Sequence, residues 1–274
     1  MHGDTEFVWR DEAKYKNLGA TTPAEQGVLT SFGVAIGKAL IAVAPPPVGS
    51  LPPTAEELRT AILKSGRLVG LTELLTFCWA VGVAVVQLEV FPLSAKRMHA
   101  MTVKVGDRYA ILLGSRSSYP AQASFVVAHE LGHIAGGHLG DSAALLDVED
   151  PLDIANRDDE EAEADKYALS LLTGSAELSV LANTSGYNAT QVAHAAIREA
   201  FTVQIEPGTL ALCLAYSTGN WKQSLGALKI IYGTQPTGAA GSYVNNVART
   251  QLDLSSLNDR NRYISRVLNL GVVG

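Results

Sequence analysis

Apolar residues recur at helical spacing between residues 23 and 43, and the residues before them are typical of a helix start. Thr22 can cap the first turn, Pro23 fits its first position, and Glu25 follows the threonine by three residues. The apolar stripe consists of Val28, Leu29, Phe32, Ile36, Ala39, Leu40 and Val43. We expect a helix packed on the body of the protein. The alternative is a helix that docks on a partner or on a membrane surface.

Proline clusters end this helix, and two shorter helical patterns follow. Residues 45–47 and 52–53 are prolines, which favour a stiff, extended linker. Thr54 is a capping residue for a helix that runs to about Lys64, and a second helix is predicted from Thr72 to about Val81. The linker predicts the boundary of an N-terminal arm and helix, residues 1–50.

Apolar, β-branched runs then predict strands. They are Val83–Val90, Met98–Val105 and Tyr109–Leu113, the last two forming a hairpin around Gly106. Residues 70–86 faintly suggest a helix-turn-helix, but its second helix would fall on a run that belongs to a strand. The segment therefore predicts no DNA-reading function.

From Ser175 onward the pattern is again helical, with turns rich in Gly, Asn, Ser and Pro. The predicted helices are Ala189–Phe201, Pro207–Tyr216, Trp221–Tyr232 and Leu257–Leu268. This region carries no chemical motif, and we interpret it as a helical cap or a substrate-recognition region. Tyr187 and His194 are candidate donors to a reacting group, with a structural role as the alternative.

Candidate chemistry lies in the apolar helical run that Pro120 begins, which contains the pattern H-E-x-x-H. His129 and His133 are four residues apart, so they project from one helix face and can offer two imidazole nitrogens to one metal ion. Glu130 lies about 100° round from His129, within reach of a water molecule at an open coordination position. The small residues Ala128 and Gly132 leave room beside the histidines for a substrate.

A zinc peptidase needs a third protein ligand, and two arrangements compete. The metzincin pattern fails because Leu139 occupies its closing position, one residue after His138. We expect His138 to face away from the His129 edge and to meet free carbonyl groups at the helix end. The other arrangement takes a carboxylate from a second helix, where Glu161 and Asp165 are four residues apart. One of these can bind the metal while the other fixes a histidine through its second nitrogen.

These two motifs resemble those of the ImmA/IrrE metallopeptidases, which usually read H-E-[LF]-G-H followed by E-x-x-A-[ND]-x-F-A-x-x-L-L. Residues 129–133 read HELGH and residues 161–172 read EAEADKYALSLL, with Tyr167 where phenylalanine is usual. The resemblance covers about residues 70–173. It implies that the zinc ligands are His129, His133 and Glu161, that Glu130 is the catalytic base, and that Asp165 supports a ligand histidine.

The known activity of that family is cleavage of helix-turn-helix transcriptional repressors. The resemblance therefore implies an endopeptidase with one zinc ion and a repressor or similar regulator as its protein substrate. The fold expected is α+β and zincin/gluzincin-like, mostly helical, with a small antiparallel-containing sheet beside the active-site helix and a helical C-terminal region. The expected domains are residues 1–50, a peptidase domain over residues 51–173, and residues 174–274.

In zinc peptidases of this type an edge strand beside the metal hydrogen-bonds the substrate in extended form. The strand just before the active-site helix is the candidate, with substrate-binding residues Ala110, Ile111, Leu112 and Leu113. Backbone pairing carries little sequence information. Specificity is therefore expected from the helical C-terminal region, with the acidic block 141–160 as the alternative. Glu163 points off the Glu161 edge and is expected to be exposed.

The charge and composition of the chain limit the kinds of partner that we expect. A net charge of −6 gives no electrostatic footprint for nucleic acid, although an acidic enzyme can attract a basic DNA-binding protein. The N-terminus has no signal-peptide pattern, and the longest uncharged apolar run, Leu74–Val86, is too short to span a bilayer. We expect a cytoplasmic protein without membrane contact, in which Cys78 and Cys213 are buried free thiols. The sequence predicts no oligomeric state.

Two alternative functions share part of this pattern. An HtpX-like quality-control zinc protease has H-E-x-x-H and E-x-x-A-D, but it needs membrane-spanning helices that the sequence does not predict. A regulatory binding protein could keep the metal only for stability. Loss of the base would be its natural signature, yet Glu130 is present.

Overall fold

The structure, a computed structural model, describes residues 13–16, 23–91, 98–147, 159–177, 180, 186–255 and 259–269. Within these residues it has five strands and ten helices. The strands are β1 (Ala13–Lys16), β2 (Val83–Gln87), β3 (Ala100–Val105), β4 (Arg108–Leu113) and β5 (Ala144–Asp147). The helices are α1 (Pro23–Val43), α2 (Ala55–Leu63), α3 (Leu71–Ala80), α4 (Pro120–Ala135), α5 (Asp159–Thr173), α6 (Ala189–Val203), α7 (Pro207–Thr218), α8 (Trp221–Tyr232), α9 (Ala239–Gln251) and α10 (Asp259–Val267).

The strands form one mixed sheet in the order β1-β5-β3-β4-β2. Strands β3 and β4 are the predicted hairpin, closed by the Val105–Arg108 pair, and Gly106 adopts a φ of +61° that glycine tolerates without steric cost. Strand β5 pairs antiparallel with β3, whereas β1 with β5 and β2 with β4 are parallel pairs. The prediction of a mostly helical α+β fold with a small sheet is confirmed.

The predicted edge position of residues Ala110, Ile111, Leu112 and Leu113 is wrong. Strand β4 lies inside the sheet, paired with β3 on one side and with β2 on the other. The apolar run Val83–Gln87 is buried on both faces and takes the outer position beside it. The backbone of β4 is already hydrogen-bonded on both sides, and the four side chains are at most 2% exposed. These residues therefore cannot hold an extended substrate.

Helix α1 packs on one face of the sheet, against β3 and β4, as its apolar stripe predicts. Gly33 lies directly on Met101, and a Cβ atom at Gly37 would come within 2.7 Å of the Val103 side chain. The two glycines thus let the helix backbone approach the sheet closely. Val28, predicted to be part of the stripe, is 44% exposed, so burial begins one residue later.

Helices α2 to α5 cover the opposite face of the sheet and share a core with its side chains. The residues of β3 alternate as a strand requires: Met101 and Val103 face α1, while Ala100 belongs to the core under α4. The sheet thus separates two apolar cores, and α4 lies in the middle of the second. Thr54 caps α2 as predicted, with its hydroxyl accepting the N–H of Glu57 at 3.2 Å.

The C-terminal region is helical, as expected, and α6, α7 and α8 enclose a third apolar core. Helix α9 has no counterpart among the predicted helices, because its sequence is rich in Gly, Ser and Asn. Its Asn245 side chain exchanges hydrogen bonds of 2.8 and 2.9 Å with the backbone of Gln87, at the outer edge of β2. The described helices include none whose length and apolar character would let it cross a membrane.

Both cysteines are free and buried, as predicted. Burial raises the pKa of Cys78 and of Cys213 to about 12. Residues 148–158 of the acidic block, and the start of the helix predicted at Leu257, lie outside the described residues. The domain boundaries remain predictions.

Candidate metal centre

Helix α4 carries the first two candidate ligands. Pro120 occupies its first turn, and the Gln122 side chain accepts the N–H of Tyr119 at 3.2 Å. The helix has no solvent face at its centre, since every residue from 126 to 134 is buried. His129 and His133 are 2% and 0% exposed, so the H-E-x-x-H motif lies inside the protein.

Helix α5 supplies the carboxylates and packs closely on α4. A Cβ atom at Gly132 would come within 2.9 Å of the Cα atom of Ala164, so only glycine allows this helix separation. The room expected beside Gly132 is therefore filled by α5 and not by a substrate. Glu161 and Asp165, one turn apart on α5, face the two histidines.

The structure brings together His129, His133 and Glu161. Their candidate ligand atoms all lie within 4.8 Å of one another. The Nε2 atoms of the two histidines are 3.0 Å apart, and Glu161 places one carboxylate oxygen 3.2 Å from His129 Nε2 and the other 3.4 Å from His133 Nε2. Two inward-facing imidazoles and one carboxylate can hold a metal ion.

The charge balance of this cluster favours a cation. Burial alone would raise the pKa of Glu161, but hydrogen bonds from His129 and His133 outweigh it and hold that pKa far below its usual range. The carboxylate is therefore ionised. Two ring nitrogens that face each other at 3.0 Å also need a shared proton or a metal ion between them, because their lone pairs would otherwise repel.

Asp165 occupies the position expected of a supporting carboxylate. Its Oδ1 atom lies 3.0 Å from Nδ1 of His129, and both side chains are buried. Nδ1–H of His129 can donate to Asp165, so that when a metal ion replaces the Nε2 proton that bonds Glu161, the neutral ring turns the lone pair of Nε2 toward the cluster. The tautomer is assigned from this network of hydrogen bonds.

The sequence suggested that His138 faces away from the cluster. In the structure its ring instead turns toward the cluster. Helix α4 ends at Ala135, and Gly137 with a φ of +68° turns the chain back, so the His138 ring packs against Gly136. Its Nδ1 atom lies 2.8 Å from Nδ1 of His133. Its Nε2 atom lies 3.3 Å from a carboxylate oxygen of Glu163. The Gly136-Gly137 pair is the sequence signal that could have predicted this reversal.

The outer nitrogens of both candidate ligand histidines thus have partners. For Nε2 of His133 to face the cluster as a lone pair, its Nδ1–H must donate to His138. His138 must then donate its own Nε2–H to Glu163. Glu163 is mostly exposed, as predicted, at 68%. Its contact with His138 was not predicted.

Glu130 is fully buried beside the cluster. The Thr102 hydroxyl of β3 donates to its Oε2 atom at 2.5 Å, whereas Oε1 is buried with no hydrogen-bond partner among the described residues. Burial raises the pKa of Glu130; the nearby His133 and His129 and the Thr102 hydrogen bond act in the opposite direction. Thr102 was missed by sequence reasoning, although it is the polar residue among the four buried positions of β3.

Tyr187 and His194 contribute nothing to the cluster. The Tyr187 hydroxyl lies 3.1 Å from the Thr218 hydroxyl, and His194 is exposed on α6. Leu139, which excludes the metzincin pattern, is buried.

The chain finds no match among family models, curated proteins or solved structures. The cluster has facing ring nitrogens, an ionised carboxylate and a buried oxygen of Glu130 that has no hydrogen-bond partner in the described part of the chain. Together they match the needs of a metal ion with a water molecule beside it.

Proposed function

We propose that this protein is a zinc-dependent endopeptidase. The observation that carries the proposal is the buried carboxylate of Glu130, which Thr102 fixes through one oxygen and whose other oxygen has no hydrogen-bond partner among the described residues. This carboxylate lies close enough to His129, His133 and Glu161 to interact with them electrostatically. A site built only to hold a metal needs no such group. Two histidines and one glutamate are a donor set that suits zinc and leaves a coordination position for water. The resemblance to ImmA/IrrE metallopeptidases supports the same activity.

In the proposed reaction the chain positions a water molecule and moves one proton. When bound, zinc supplies Lewis acidity, which acidifies a water molecule and polarises the substrate carbonyl group. Glu130 takes a proton from the attacking water through its free oxygen, and the water oxygen bonds to the carbonyl carbon. The C–N bond then breaks, and Glu130 passes the proton to the leaving nitrogen. The products are a carboxylic acid and an amine, and transfer of the remaining proton between them gives a carboxylate and an ammonium group.

Hydrogen bonds around the site keep these groups in place. Asp165 and His138 hold the rings of His129 and His133 with their Nε2 atoms inward. Thr102 fixes the rotation of the Glu130 carboxylate. A positioned base of this kind contributes typically 10²- to 10⁴-fold to a rate.

The proposed substrate is a transcriptional repressor or similar regulator. To test this, the zinc-loaded protein is incubated with the repressor encoded next to its gene, and the fragments are identified by mass spectrometry. We expect one site-specific cut that a chelator abolishes and added zinc restores. Absence of a cut with this repressor would argue against it as the substrate. A cut that persists after complete metal removal would contradict a metallopeptidase.

A second candidate function is a regulatory protein that keeps the metal for stability and does not hydrolyse peptides. Complete burial of His133 and Glu130 favours it, because a metal site that serves only stability needs no access for a substrate. This candidate predicts that metal removal lowers the melting temperature while the loaded protein cuts no peptide bond in any regulator tested. The peptidase predicts hydrolysis that depends on both the metal and Glu130.

A further inference from the structure

An apolar cavity of about 550 Å³ lies beside the candidate metal centre, between α4, α5, α7 and α8. Its size falls in the range of ligand-binding pockets. The residues that define it here are Phe125, Val126, Leu169, Leu212, Tyr216 and Trp221. We refer to it as the apolar cavity.

The apolar cavity and the candidate ligands share one face of α4. Phe125 and Val126 precede His129 by four and three residues, and His133 continues the same row by one more turn. One turn of helix rises about 5.4 Å, so the cavity begins about that far from His129 along α4.

Helix α5 shows the same arrangement. Leu169 and Leu172 line the cavity, and Leu169 follows Asp165 and Glu161 at successive intervals of four residues. The seam between α4 and α5 therefore has the metal cluster at one end and the apolar cavity at the other.

A row of aromatic rings links the two ends. The Phe125 ring centroid is 6.4 Å from that of His129 and 6.1 Å from that of Tyr216. Tyr216 in turn contacts Trp221 edge-on at 4.9 Å. Phe125 thus lines the end of the cavity nearest His129, and residues of α7 and α8 line its far side.

We propose that the apolar cavity receives large aliphatic or aromatic side chains next to the scissile bond, and so selects the substrate. The inference rests on the proposed peptidase function. A peptide whose carbonyl group lies at the metal has its neighbouring side chains within about one helical turn, which is the distance to the cavity. The volume accommodates a large side chain and part of the adjoining residue.

The mouth of the cavity is identified by its exposed lining residues. Leu225 on α8 is 43% exposed, and the Arg116 side chain is 58% exposed and pairs with Glu89 at 2.9 Å. Leu225 can be replaced there without opening a hole in a core. Ile230 on the same helix is 42% exposed but does not line the cavity, so it provides a matched control.

The test measures ligand binding to the zinc-loaded full-length protein and needs no knowledge of the natural substrate. Acetohydroxamate and 3-phenylpropanohydroxamate carry the same metal-chelating group, but only the second carries an apolar arm. We expect the phenyl compound to bind about tenfold to a hundredfold more tightly, because its ring is buried in the cavity. It should also change the fluorescence of Trp221, and Trp221→Phe should remove that signal.

Two variants of the cavity lining and one control variant test whether the gain in affinity arises in the apolar cavity. Cys213→Phe fills the cavity from α7 and should bring the two affinities within about threefold of each other. Leu225→Asn should reduce the gain severalfold, whereas Ile230→Asn should leave it unchanged. If Cys213→Phe does not fold, the comparison of Leu225→Asn with Ile230→Asn still shows whether the phenyl arm binds in the cavity.

The outcomes separate the two proposals. If acetohydroxamate binds but the phenyl arm adds no affinity, or adds the same affinity in every variant, the cavity inference is overturned and the peptidase stands. If neither compound binds zinc-loaded protein, the metal is closed to substrates and both proposals fall. If 3-phenylpropanamide binds metal-free protein as tightly as the hydroxamate binds loaded protein, the cavity is a separate small-molecule site.

Discussion

At the scale of single residues, the cluster is organised by the partners of its outer nitrogens. His129 has a buried carboxylate on its outer side, whereas His133 has a second histidine. The charged partner raises ligand basicity more than the neutral one, so the two rings should not contribute equally to metal affinity.

Asp165→Ala should therefore weaken zinc binding by roughly tenfold to a hundredfold without unfolding the chain. Zinc affinity is measured by competition with a chromogenic chelator, and folding by circular dichroism. Unchanged affinity in the variant would show that Asp165 does not support the ligand.

His138→Leu should weaken zinc binding by about tenfold, because Nδ1–H of His133 would lose its acceptor. His138→Gln should recover part of the loss, since its side-chain oxygen can accept the same hydrogen bond. Glu163→Gln is the control: Glu163 is mostly exposed and should matter less. Equal zinc affinities for His138→Leu and wild type would show that His138 does not support a ligand histidine.

Helical spacing predicted that His129 and His133 share one face of α4 and that Glu161 and Asp165 share one face of α5. It left open which of the two carboxylates joins the histidines. It placed His138 wrongly because His138 would face away only if the helix continued, whereas α4 ends at Ala135. It missed Thr102 because its contact with Glu130 depends on how β3 lies under α4, which no local pattern encodes.

At the scale of elements, close approach of backbones sets the layers. Gly37 of α1 lies against Val103 of β3, and Gly132 of α4 lies against Ala164 of α5. The helix faces were predictable from apolar spacing. The order of the strands in the sheet was not predictable, because the sequence of a run such as Val83–Gln87 does not show which strand it will pair with.

Gly37→Ala should lower the free energy of unfolding by about 1–3 kcal/mol, because the added methyl group meets the stiff side chain of Val103. Gly27→Ala in the same helix is the matched control. Its added methyl group has open space, and the change should stabilise the helix by about 0.5–1 kcal/mol. Urea unfolding of both variants measures the difference. Equal stabilities would mean that α1 does not pack on β3 as described.

At the scale of the whole molecule, helices α7 and α8 of the C-terminal region form a wall of the cavity beside α4. That placement supports the prediction that this region determines specificity, because α7 and α8 line the apolar cavity. A region without a chemical motif could be assigned this position only from the structure, since apolar helices carry no mark of their packing partner.

The strength of substrate recognition through an apolar cavity should depend little on salt concentration. We expect the cleavage rate of the substrate to change by less than about twofold between roughly 0.05 and 0.3 M sodium chloride, since screening acts on charges and not on apolar burial. A rate that falls steeply over this range would instead assign substrate selection to the acidic block 141–160.

The most direct test of the peptidase measures zinc content and cleavage rate on the same preparations of wild type and Glu130→Gln. The substitution preserves the size of the side chain but removes its basicity, and the ligands are untouched. We predict one zinc ion per chain in both proteins and hydrolysis in the wild type alone. Cleavage by Glu130→Gln at the wild-type rate, or a wild-type protein that holds no metal, would contradict the account.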